Sequence, residues 1–259
     1  MYQINEMNTY GFYILDAAEP LPVITDEELE FERFQTAACI TLELELEAIM
    51  NGNTSQDIDK LASDIVNNYG SLTKRITFIQ NIRNNDDNVY KHCLNVAMLC
   101  AMISCKMGMD RKEQYNLVLA AFYHDSIEDA RLSYNDVMKI ARSQMDEEQA
   151  YLAAEIVYAL TNEKGRNRAE RANEKYFAGI REIPYAPFVK LADRLANTSY
   201  AFSKGTADSL RMSKVYREEL PGFLEALKVE GTDVRFLLPE AMVEDLWEVI
   251  PQCGSENYV

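Results

Sequence analysis

The stretch RKEQYNLVLAAFYHDSIED, residues 111–129, decides the fold. No glycine or proline interrupts it, and it reads as a helix from Arg111 to Tyr123 that leads directly into His124-Asp125. Before it, Ser71 to Met107 gives two helices broken by the polar run Arg83-Asn-Asn-Asp-Asp-Asn88 and closed by Gly108. After it, Ser133-Tyr-Asn-Asp136 is a capping box, and Asp146 starts a helix running to about Thr161.

Further out, residues 1–24 carry Pro20 and Pro22, show no period and read as an irregular arm. Thr25-Asp-Glu-Glu28 is a capping box that opens a helix to about Met50. A second helix begins near Thr54 or Ser55 and stops at Gly70, whose missing side chain suits a left-handed C′ position. On the C-terminal side Asn162 to Asn167 is a loop. Helices are expected near 168–181, 188–202, 208–219, 222–229 and 239–249, with Pro184, Pro187, Pro221 and Pro239 as punctuation. Strand alternation and hairpin dipeptides are lacking, so the fold class is all-α.

Composition narrows the function. Hydrophobic residues make up 47% of the 259, and only 10 glycines and 7 prolines interrupt them, which excludes a disordered or collagen-like chain. No apolar run approaches the roughly 18 residues of a membrane span, and the opening MYQINEMNTYGF lacks a signal peptide's basic flank and apolar core. The expected location is cytoplasmic. The five cysteines, Cys39, Cys93, Cys100, Cys105 and Cys253, form no CxxC and read as reduced core residues. A net charge of −16 repels phosphate polymers and anionic bilayers, so neither nucleic acid nor membrane is an expected partner. A small phosphorylated substrate remains open if a metal and local basic groups receive it.

The chain has two histidines, His92 in Tyr-Lys-His-Cys-Leu and His124 followed by Asp125; Asp193 comes later, in Lys190-Leu-Ala-Asp-Arg-Leu-Ala-Asn197 with apolar flanks. This ordered set offers two imidazoles and two carboxylates, a mixed shell suited to Mn²⁺, Fe²⁺ or Zn²⁺ that leaves positions open for water and substrate. The competing reading is a pair of hydrogen-bonded core histidines. Helical spacing puts Glu128 one turn above His124 and Asp129 one turn above Asp125, a carboxylate cluster that a cation explains. Glu128 is then placed to hold or deprotonate water, and Asp129 to steady it or receive the leaving-group proton. A solvated acidic face is the alternative. Lys164, Arg166, Arg168, Arg171, Lys175 and Arg181 form a basic stretch able to bind phosphates, or equally a salt-bridged helix face.

These residues resemble the HD hydrolases of RelA/SpoT type, including the small stand-alone alarmone hydrolases. The matching segments are Arg83 nine residues before His92, His124-Asp-Ser-Ile-Glu-Asp129, Leu160-Thr-Asn-Glu-Lys164, and Lys190-Leu-Ala-Asp193 with Asn197, over about residues 71–220. The resemblance implies an HD-domain helical bundle binding one divalent metal, Mn²⁺ first and Fe²⁺, Zn²⁺ or Mg²⁺ as alternatives, through His92, His124, Asp125 and Asp193. It implies catalytic roles for Glu128 and Asp129, and substrate contacts for Arg83, Lys190 and Asn197, to which the basic stretch adds Lys164 and Arg168. Asn84 and Cys93 depart from the family's usual Lys and Pro.

The chain then divides into an N-terminal arm and helical extension (1–70), a hydrolase core (71–225) and a C-terminal helical extension (226–259). Pocket shaping and a homo-oligomer interface are both open to the extensions. The implied activity is hydrolysis of a phosphate or pyrophosphate ester of a nucleotide, with (p)ppGpp 3′-pyrophosphohydrolysis first. Another HD nucleotidase, an NADPH phosphatase, or a module that sequesters a nucleotide without cleaving it are the alternatives.

Overall fold

Gly108 adopts a φ of +74°, the left-handed conformation that ends one helix and lets the next fold back. Asp110 then opens the following helix with a capping box to Glu113. The two helices joined here, α3 (Val89–Lys106) and α4 (Arg111–Tyr123), pack along one another at the centre of the fold. Every residue of α3 from Cys93 to Ser104 is buried, as expected of a helix covered on all sides.

The computed structural model describes residues 26–51, 53, 57–69, 89–129, 131–203 and 205–250, among which no strand occurs. The chain divides into two compact units, Met1–Ala37 and Ala38–Val259. Besides α3 and α4 the elements are α1 (Asp26–Met50), α2 (Ile58–Asn68), α5 (Ser126–Asp129), α6 (Tyr134–Arg142), α7 (Glu147–Leu160), α8 (Arg168–Arg171), α9 (Glu174–Glu182), α10 (Ala186–Ser203), α11 (Ala207–Leu227) and α12 (Glu240–Val249). α10 packs on α3, while α11 and α12 cover α10; α2 and α7 flank α4. No described helix is long and apolar enough to cross a membrane.

Local signals account for most boundaries. Ser133 and Asp136 form the expected capping box, and the Asp146 side chain accepts the Gln149 amide. The 25–28 capping box, the 71–82 helix and Cys253 lie outside the described residues, whereas Cys39, Cys93, Cys100 and Cys105 form no disulfide among the described residues.

Three boundaries differ from expectation. The helix expected from Thr54 or Ser55 begins at Ile58, with Asp57 as its N-cap. The 168–181 helix is two pieces, because the Asn173 side chain accepts the Tyr176 amide and starts α9 afresh. Pro221, expected between two helices, lies inside α11. Its missing N–H forgoes one bond in the helical ladder, a loss on the order of 3 kcal/mol. Leu220, Phe223 and Leu227, buried on both sides of it, keep the helix seated on α10.

Candidate active site

Three helices bring together the residues singled out in the sequence. His92 stands in the first turn of α3, His124 caps the C-terminus of α4 with Asp125 next in the turn, and Asp193 lies midway along α10. His124 is 2% exposed. Its Nδ1 lies 2.7 Å from the Ala121 carbonyl oxygen, which can only accept, so Nδ1 carries a proton and Nε2 is the outward-facing nitrogen. Nε2 is buried and has no hydrogen-bond partner, yet Asp125 Oδ2 is 3.0 Å away. A lone pair facing a carboxylate at that distance calls for a positive charge between them.

The remaining distances describe a ring of donors. His92 Nε2 lies 3.1 Å from Asp193 Oδ1 and 3.8 Å from Asp125 Oδ2, and His124 Nε2 lies 3.8 Å from Asp193 Oδ1. The two imidazoles meet edge to face with centroids 5.3 Å apart. Nitrogen and oxygen ligands about 2.0–2.2 Å from one ion stand roughly 2.8–3.6 Å from their neighbours, close to the separations here. His92, His124 and Asp125 each offer a donor atom within 4.8 Å of the others, and Asp193 adds a fourth on the distances above. The two-nitrogen, two-oxygen set and the partnerless Nε2 fit a divalent ion.

Electrostatics agree. Burial works to lower the His124 pKa, but the Asp125 carboxylate raises it well above the ordinary value, so without metal a proton takes the cation's place. Burial would raise Asp193, yet Lys190 and the hydrogen bond to His92 hold it well below the usual carboxylate range. Lys190 Nζ lies 2.9 Å from Asp193 Oδ2 and Asn197 Nδ2 lies 2.5 Å from Oδ1. Lys190 and Asn197, expected as substrate contacts, both hydrogen-bond the Asp193 carboxylate and both line the cavity beside it. Asp193 first and Tyr176 second raise the Lys190 pKa against its burial, so the ammonium stays charged.

Past Asp125 the chain makes the single turn α5. Glu128 there is exposed; its Oε1 accepts the Asn162 backbone amide at 2.5 Å and its Oε2 accepts Asn162 Nδ2 at 3.1 Å. The Asp129 side chain and all of Arg83 lie outside the described residues.

Asp125, Glu128 and Asp193 line a cavity of about 270 Å³. Lys190 and three guanidinium groups, Arg168, Arg171 and Arg194, line it too. Four rings complete the wall: Tyr176, Phe177, Tyr216 and Phe223. Arg168 forks onto Glu219 at 2.7 and 2.9 Å, and Arg194 reaches the same carboxylate at 2.9 Å. Arg194 also lies over Phe223, 4.1 Å from the ring centroid, and over Tyr216 at 4.9 Å. Arg171 makes no ion pair among the described residues. Lys164 is exposed and does not line the cavity.

Asn162 and Arg194 lie in segments quoted from the sequence but were given no role there, and Glu219 and the rings were not singled out. Arg194 adjoins Asp193, and Tyr216 and Glu219 are three apart on one helix face, but nothing in the sequence says that this face of α11 meets α8 and α10.

Residues 89–198, from the start of α3 into α10, match the family model of the HD domain. HD domains bind divalent metals and are typically metal-dependent phosphohydrolases, and the matched span contains all four donors. No curated protein and no solved structure matches the chain.

Proposed function

We propose that this chain is a metal-dependent phosphohydrolase of small phosphorylated nucleotides, with (p)ppGpp as first substrate and pyrophosphate release as the reaction. The observation that carries the reading is one cavity lined by two of the four clustered donors, Asp125 and Asp193, with the Glu128 carboxylate, cationic groups and aromatic rings in the same wall. His92, His124, Asp125 and Asp193 hold the metal. When bound, a divalent ion, Mn²⁺ by the resemblance, polarises a phosphoryl oxygen and acidifies water.

The chain's own groups do the rest. Glu128 accepts the proton of the attacking water and returns it to the leaving oxygen as the P–O bond breaks, while Asp129 steadies that water. Lys190 and Asn197 keep Asp193 ionised and aimed. Arg171, together with the N–H groups of Arg168 and Arg194 that Glu219 leaves free, receives phosphate oxygens, and the rings stack on a base. Four cations in one wall admit an anion despite the chain's negative field.

The test is turnover by purified, Mn²⁺-loaded protein of a panel containing (p)ppGpp, NADPH and 5′-nucleotides, with products identified. Pyrophosphate from (p)ppGpp is expected. Turnover of another member instead reassigns the substrate, and recovery of every nucleotide unchanged contradicts the hydrolase reading.

A further inference from the structure

Glu128 projects from a one-turn helix and is exposed, so packing does not select its rotamer. Both carboxylate oxygens are nonetheless held by one residue, Asn162, through its backbone amide and its side-chain Nδ2. The amide orientation follows from the contact, since a carbonyl oxygen would not face a carboxylate oxygen at 3.1 Å.

Asn162 is a firm anchor. It follows the last turn of α7, where the Leu160 carbonyl accepts the hydroxyl of buried Tyr176 at 2.8 Å. The Thr161 hydroxyl donates to the Val157 carbonyl at 3.0 Å, and the Thr161 amide to the Tyr158 carbonyl at 3.2 Å. Asn162 and Glu128 line the same cavity as Asp125 and Asp193.

We infer that Asn162 is a positioning residue that holds the Glu128 carboxylate for proton transfer, an inference resting on the phosphohydrolase reading above. It is the orienting partner of a general base, occupying one acceptor site on each oxygen and leaving another on each for water. The contact spans 34 residues of sequence and joins α5 to the end of α7.

The test uses Mn²⁺-loaded full chain with (p)ppGpp, comparing Asn162→Ala and Asn162→Asp in wild-type and Glu128→Gln backgrounds. Alanine removes one of two donors, so kcat falls about 10-fold with KM within about twofold. Aspartate keeps the shape but sets a second carboxylate against Glu128, so kcat falls further, about 100-fold. In the Glu128→Gln background both effects shrink to within about twofold, because Asn162 acts through that carboxylate. In metal-free protein the Asn162 side-chain amide resonance shifts on Glu128→Gln, a readout independent of turnover.

A purely structural loop role predicts the reverse order, with near-isosteric aspartate milder than alanine and losses that multiply with Glu128→Gln. Either result, or an amide resonance indifferent to Glu128→Gln, overturns the inference while wild-type turnover leaves the hydrolase reading standing. If wild type turns over another nucleotide of the panel instead, the same comparison is made with that substrate; absence of wild-type turnover of every member overturns the reading and this role together.

Discussion

His124 and Asp125 are neighbours in sequence whose side chains meet head to head, with Nε2 3.0 Å from Oδ2 and Nδ1 tied to the Ala121 carbonyl. Asp125 raises the His124 pKa well above its ordinary value even though burial opposes it. A raised histidine pKa stabilises the metal-free fold below the unfolded value of about 6.5, and that stabilisation is lost as pH rises through the folded value. A metal must displace the same proton. Metal binding at pH 7 should therefore release protons, and apparent affinity should climb with pH until the folded His124 value is passed. Calorimetry in buffers of different ionisation enthalpy measures this; proton-neutral binding would remove His124 Nε2 from the centre.

Glu128→Gln keeps the shape of the side chain and removes its basicity. Metal content and nucleotide affinity should stay close to wild type while kcat falls by roughly 10²–10⁴. A solvated acidic residue would leave kcat unchanged.

Glu219 joins Arg168 of α8 to Arg194 of α10, and those arginines hold its pKa below the usual glutamate value against partial burial. That contribution is present above the unfolded glutamate pKa and lost as pH falls through the folded one. Glu219→Gln leaves a mostly buried Arg194 without its carboxylate, a cost of about 1–3 kcal/mol once partial exposure is allowed for. The melting temperature should drop by several degrees, and KM should rise more than kcat falls, as the two guanidinium groups lose their fixed spacing. An unchanged melting curve would show the pair to be incidental.

Gly165 is a close approach: a Cβ there would lie 2.7 Å from Glu170 Cβ and 2.9 Å from the Arg171 backbone nitrogen. Gly165→Ala should push the 162–167 loop off α8 and shift Arg168 and Arg171. Because no residue of α8 is buried, stability should change little while KM rises several-fold. A wild-type KM would show that α8 does not set the substrate seat.

That His92, His124, Asp125 and Asp193 cluster was legible because ligand chemistry is residue-specific and the chain has only two histidines to place. Arg111–Tyr123 was legible as a helix for a similar reason, since nothing in it competes with helical hydrogen bonding. What the sequence hid is long-range. Asn162 meets Glu128 across 34 residues and Glu219 meets Arg168 across 51, and such pairings follow from how helices pack rather than from periodicity. Lys190 and Asn197 were legible as site residues, but their hydrogen bonds to Asp193 belong to the three-dimensional α10 surface. Pro221 misled because a local penalty of a few kcal/mol was set against burial of Leu220, Phe223 and Leu227 that the sequence does not display.

The central claim, that His92, His124, Asp125 and Asp193 together hold a divalent ion, is tested most directly by elemental analysis of purified wild type, His92→Ala and Asp193→Ala. The account predicts about one ion per chain in wild type and its loss from both variants, with each variant still folded by circular dichroism. Undiminished metal in both variants would contradict it.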